Sequence, residues 1–259
     1  MWKKSVTLPL PLHPPPANSR LRATAENVQI TVKDPLDHYA PAILHVPEDM
    51  AQGARSDAAV VLISGAGGGV SGPGGIYPSL ADKLASLLRI PTLRLDYRQP
   101  ARNKYCVPDV LASFDYLLQR FSSNSFVLVG WSFGGAPCFT VAARDQRMKA
   151  VATALPPRPM LLLHGTGDDS LSDYCAKRLY QMYGSARGER ILKLFDGDNH
   201  GLTRNSLKAE QLIFDFVSKN LGRRVEDGEE ALKAENMVGD KEDRVKLMKA
   251  GNDLEKESL

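Results

Sequence analysis

Val127-Leu128-Val129-Gly130-Trp131-Ser132-Phe133-Gly134-Gly135 is the stretch on which the fold is read. Its first residues, with Phe126 before them, form a continuous apolar run, the pattern of a strand buried on both faces. The rest matches G-x-S-x-G with one further glycine. A strand leading straight in and a small-residue helix leading out put Ser132 on a sharp turn that lifts its hydroxyl above the sheet. Gly130 and Gly134 remove the Cβ clashes such a turn creates.

The same alternation continues on either side. Upstream, residues 58–63 read as another buried strand, followed by a loop over residues 64–75 that holds seven glycines. Leu80, Leu84, Leu87 and Leu88 then recur at helical spacing, and residues 92–95 read as a strand. A helix near residues 110–121, with Leu111, Phe114, Leu117 and Leu118 on one face, leads into the quoted stretch. Downstream, residues 150–154, 160–163 and 191–195 read as strands, with a helix over residues 174–183 before the last of them. A helix from about 207 to 221 closes the unit. Residues 28–33 and 42–46, separated by a turn at 34–37, predict an antiparallel opening. The class is therefore α/β, with a mainly parallel central sheet and helices on both faces.

Composition narrows the function classes. With 259 residues, 43% of them hydrophobic, the chain suits one sizeable core, and a net charge of +3 without a basic stripe does not imply nucleic acid as a partner. Cys106, Cys138 and Cys175 give neither a disulfide framework nor a zinc pattern, so a reducing, cytoplasmic setting is expected. No apolar run is long enough to span a bilayer. Residues 1–25 carry Lys3, Lys4, Arg20 and Arg22 and no acidic residue, a bias shared by organelle presequences, so targeting by this arm stays open. Pro9, Pro11 and Pro14 to Pro16 would break an amphipathic targeting helix, and a Pro-rich flexible arm is the reading adopted. From residue 222 to 259 the composition turns charged and loses its aromatics, which predicts a solvated tail. The expected organisation is an arm at 1–25, one domain at 26–221 and a tail at 222–259.

A serine hydroxyl is a poor nucleophile at neutral pH, so a base must take its proton and a third group must orient that base. Of the five histidines, His13 lies in the arm, and His38 and His45 precede the region where the site forms. His164 and His200 remain, and only His200, in the polar turn Asp196-Gly197-Asp198-Asn199-His200-Gly201, comes last in the order serine, acid, histidine. The acid is expected in Leu163-His164-Gly165-Thr166-Gly167-Asp168-Asp169. Asp168 is preferred, with Asp169 and Asp173 as fallbacks, and His164 is assigned to shaping that turn. Donors for a developing oxyanion are expected from the backbone N–H of Phe133 and from Ala66 or Gly67 in the glycine-rich loop.

These motifs resemble the α/β-hydrolase superfamily, and within it the small dienelactone-hydrolase-like and esterase-like members. The resemblance covers roughly residues 28–221 and rests on Gly130-Trp131-Ser132-Phe133-Gly134, His164-Gly165-x-x-Asp168 and Asn199-His200-Gly201. It implies a catalytic triad of Ser132, Asp168 and His200, an oxyanion hole at Ala66 and Phe133, a small-molecule acyl substrate, and no cofactor or metal. The family's usual His-Gly before the oxyanion position is Ser64-Gly65 here. Dienelactone hydrolases proper carry cysteine where this chain has Ser132, so ester or thioester hydrolysis is the implied activity. Many members insert a lid between the strands here at 150–154 and 160–163, whereas this chain has room only for Leu155-Pro156-Pro157-Arg158-Pro159. No substantial lid, and a small or surface-presented acyl group, are expected.

Two rivals stand beside this reading. Gly67-x-Gly69-x-x-Gly72 after a strand, with Asp96 ending the next strand, matches a dinucleotide fingerprint and would suit an oxidoreductase binding NAD or FAD. Gly72-Pro73-Gly74-Gly75 delays the helix that should receive the pyrophosphate. The other rival is a non-catalytic interaction protein on a hydrolase frame.

Overall fold

The computed structural model describes residues 23–250 except 35, 37, 152–157 and 184–187. The strands are β1 (Ala23–Thr31), β2 (Tyr39–Pro47), β3 (Ala58–Ile63), β4 (Thr92–Leu95), β5 (Ser125–Gly130), β6 (Met148–Val151), β7 (Met160–Gly165) and β8 (Arg190–Phe195). The helices are α1 (Glu48–Ala51), α2 (Ile76–Leu88), α3 (Asn103–Phe121), α4 (Gly135–Arg144), α5 (Asp173–Met182), α6 (Ser206–Leu221), α7 (Glu230–Lys233) and α8 (Lys241–Ala250). One sheet runs in the order β1-β2-β4-β3-β5-β6-β7-β8. The β1/β2 and β2/β4 pairs are antiparallel, as the opening hairpin predicts, and the pairs from β4 to β8 are parallel.

Strand periodicity explains why β3 and β5 are apolar throughout. Ala59, Val61 and Ile63 of β3, with Phe126 and Leu128 of β5, face a core shared with Phe114 and Leu117 of α3 and Val141 of α4. The alternate residues Val60, Leu62, Val127 and Val129 face a second core shared with Leu80 and Leu84 of α2 and Ile213 and Phe214 of α6. Each fully buried Val, Leu, Ile or Phe among them contributes about 1.5–3 kcal/mol. The chain leaves β3 for the α2 face and leaves β5 for the α4 face. A crevice therefore opens at the carboxyl ends of these two neighbouring strands, where open α/β sheets bind ligands.

The charged stretch after Gly222 departs from the expected solvated tail. Met237, Val238, Leu247 and Met248 are buried, and Val238 and Met248 join the α2/α6 core. Composition averaged over the segment hid four apolar side chains placed to seat it. Lys83 of α2 reinforces the docking by donating from Nζ to the carbonyls of Lys233 at 3.2 Å and Glu235 at 2.7 Å. Residues 251–259, the arm up to residue 22, and most of the short 155–159 connection that predicted an open site lie outside the described residues.

Lys83 also pairs with Glu210 of α6 at 2.8 Å, each side chain only 1% exposed, and Ser79 Oγ donates to the same carboxylate oxygen at 2.8 Å. Burial raises the pKa of Glu210 against the pull of Lys83. Glu210→Ala leaves a buried ammonium without its counterion, so a loss of about 3–5 kcal/mol is expected as a lower urea midpoint. A parental midpoint would show that the pair carries no stability.

Candidate active site

Ser132 sits where the strand-to-helix turn places it. Its φ is 54°, a left-handed conformation rare for a non-glycine residue, at the start of a short 3₁₀ turn, Ser132–Gly134, that runs into α4. The turn closes only because its flanks lack side chains. A Cβ on Gly130 would lie 2.6 Å from the Gly134 carbonyl oxygen and 2.7 Å from Cys138 Sγ, and one on Gly134 would lie 2.7 Å from the Ser64 carbonyl oxygen. That second contact seats the glycine-rich loop directly against the turn.

The three side chains come together from separate loops. His200 Nε2 is 2.9 Å from Ser132 Oγ, and His200 Nδ1 is 2.7 Å from Asp168 Oδ2. The Asp168 side chain is 3% exposed and that of His200 12%. Burial pushes the Asp168 carboxyl up, but hydrogen bonds from His200 and from the Leu171 and Ser170 amides outweigh it and leave the pKa below the usual carboxylate value. An ionised Asp168 takes the Nδ1–H of His200, which leaves the Nε2 lone pair facing the serine hydroxyl.

His164 contacts both ends of the turn that carries Asp168. His164 Nε2 donates to the Leu171 carbonyl at 2.8 Å and lies 3.3 Å from Asp168 Oδ2, holding the loop that carries the carboxylate. Asp169 is exposed, and Asp173 pairs with Lys177 at 2.7 Å. Neither fallback makes the contact to His200 that Asp168 makes. Ala66 and Phe133 are both half-buried. Phe133 is the second residue of the 3₁₀ turn, where backbone N–H groups have no partner within the turn.

Sequence reasoning missed Asp198. Its fully buried carboxylate accepts from the Asn199 and Arg204 amides at 2.9 and 3.1 Å through Oδ1, and from the amide and side chain of Asn205 at 3.0 and 2.8 Å through Oδ2. It therefore organises the loop that presents His200. The signal was an aspartate two residues before the histidine in a polar turn, the pattern of a side chain bonding its own loop backbone. Trp131 Nε1 adds a tie by donating to the His200 carbonyl at 3.2 Å.

Asp96 takes a different task from the one the dinucleotide fingerprint would give it. Its Oδ1 accepts from the Gly69 and Tyr97 amides, each at 2.8 Å, so it folds the glycine-rich loop onto the end of β4. A cavity of about 390 Å³ opens beside Ser132, Asp168 and His200, its described lining including Tyr77, Trp131, Phe139 and Leu171. Phe133 packs edge-on against Tyr97 with ring centroids 6.4 Å apart.

A family model described as the alpha/beta hydrolase fold matches residues 41–174, more than half of the chain. The protein belongs to the alpha/beta hydrolase family. Solved structures agree on the fold of this hydrolase. Est1E from Butyrivibrio proteoclasticus aligns with a TM-score of 0.62 at 14% identity, over 76% of this chain and 99% of its own. A dienelactone hydrolase from Anabaena variabilis gives 0.60 at 18% identity, over 77% and 99% of the two chains. An esterase from Pyrococcus furiosus gives 0.64 at 12%, over 78% and 95%. No curated protein matches the sequence. Among the described residues of the hydrolase, no helix is long and apolar enough to cross a membrane.

Proposed function

We propose that this hydrolase is a serine enzyme that cleaves a carboxylic ester or thioester through an acyl-enzyme on Ser132. The unbroken chain from Asp168 through His200 to Ser132, at 2.7 and 2.9 Å, carries the reading. In the proposed first step Ser132 Oγ attacks the substrate carbonyl carbon while its proton passes to His200 Nε2. The carbonyl oxygen becomes an oxyanion that accepts from the Phe133 and Ala66 amides, each such donor being worth about a hundredfold to a thousandfold in kcat. Collapse of the intermediate breaks the bond to the alkoxide or thiolate, which leaves with the proton from His200. Water then attacks the acyl-enzyme as His200 takes its proton, the acid is released, and Ser132 regains its hydrogen.

Asp168 supports both halves by holding His200 in the tautomer that offers Nε2 to the serine and by stabilising the imidazolium that forms. The described cavity lining contains no Lys or Arg, which favours an uncharged acyl group. A fluorophosphonate probe tests the reading. It is expected to label the protein one to one on the peptide holding Ser132 and to stop turnover of a p-nitrophenyl ester. No label, or a label elsewhere, would overturn the assignment.

A further inference from the structure

We infer that the C-terminal helix α8 is part of the working site, with Arg244 a positioning residue for His200. The inference rests on the serine hydrolase reading above for the reaction it affects, and on geometry for the positioning itself. Arg244 is 9% exposed, an unusual state for a residue in a stretch this charged. Its Nη1 donates to the Gly239 carbonyl at 2.6 Å and its Nη2 to the carbonyl of Thr203, three residues after His200. Burial lowers the pKa of the guanidinium, and the carboxylates of Asp240, Asp198 and Asp243 act against that lowering, Asp198 being the one that organises the same loop.

The helix supports the site through a second layer. A Cβ on Gly75 would lie 3.4 Å from the Arg244 carbonyl oxygen and 3.5 Å from Arg244 Cα, so the end of the glycine-rich loop rests on the backbone of α8. On the other side of that loop, a Cβ on Gly74 would lie 2.8 Å from the carbonyl oxygen of Gly201, the residue after His200. Ser71 Oγ, fully buried, closes the stack by donating to the Leu247 carbonyl at 3.0 Å. The glycine-rich loop is thus packed between α8 and the His200 loop, and Arg244 ties α8 to the His200 loop directly. A small displacement of His200 lengthens its contact with Ser132 Oγ, and misplacement by about 1 Å can lower turnover about a hundredfold.

Arg244→Ala separates positioning from plain support. The expected result is a kcat about tenfold to a hundredfold lower per folded molecule, with KM changed by less than about twofold. Millimolar guanidinium should restore part of the activity, and Arg244→Lys should retain part of it because an ammonium can still reach one of the two carbonyls. The downfield proton resonance of the His200–Asp168 hydrogen bond should broaden or shift in Arg244→Ala. That signal reads the histidine whether or not the protein cleaves esters, so a failed substrate reading and a failed positioning reading stay distinguishable. If Arg244→Ala does not fold, Arg244→Lys and Ser71→Ala carry the test. Parental kcat per folded molecule and an unchanged resonance would overturn the inference and leave α8 as a stability element.

Discussion

Ser132→Ala and His200→Ala are each expected to lower kcat for a p-nitrophenyl ester about a millionfold, because the proposed nucleophile and base would act as one unit. The hydroxyl alone is too weakly acidic to attack, and the imidazole alone has nothing to activate. The double variant should be no slower than either single one, with the residual rate of about 10³–10⁴ over water coming from oxyanion donors and binding. KM should change little, since neither side chain contributes most of the binding surface of the cavity. Parental turnover by His200→Ala would remove the proposed base. Turnover by Ser132→Ala near the parental rate would place the nucleophile elsewhere.

The next largest effect is expected at Asp168. Asp168→Asn should lower kcat about 10⁴-fold, because an amide at that position can donate to Nδ1 and so stabilise the tautomer with its proton on Nε2, the wrong side for accepting from Ser132. The Asp168 carboxylate accepts three hydrogen bonds, from His200 and from the Ser170 and Leu171 amides, and asparagine can satisfy only part of that set. Asp169→Asn is the informative comparison. Its side chain is exposed and accepts from Ser170 Oγ at 3.4 Å, so turnover should stay close to parental. Equal losses in the two variants would mean that the loop, rather than one carboxylate, is what matters to His200.

The parts of the fold legible in the sequence are those where a local pattern maps onto a local structure. β3 and β4 fall at the residues expected, because β3 is a continuous apolar run ending at a glycine-rich loop and β4 begins directly after Pro91. α3 begins at Asn103, well before the expected start near residue 110, because Pro108 in its first two turns masks the helical pattern without preventing it. β6 is described at Met148–Val151, earlier than the expected 150–154, since Met148 and Lys149 carry no strong strand signal. The C-terminal segment was misjudged for a related reason. Its few apolar residues look insufficient until α2 and α6 supply the surface that receives them.

By itself the sequence determined the order of the strands and of helices α2 to α6 along the chain, the tight turn at Ser132, and a short set of candidate partners for the serine. Each depends on neighbours in the chain: periodicity, glycine at the turn, and position in the polar loops. Only the tertiary structure decided that Asp168 rather than Asp169 faces His200, that Asp198 holds the histidine loop, and that Arg244 reaches the Thr203 carbonyl. Those contacts join residues 32, 7 and 41 positions apart and depend on side-chain direction within packed loops. Direction is set by what the folded chain leaves room for, and no local pattern encodes it.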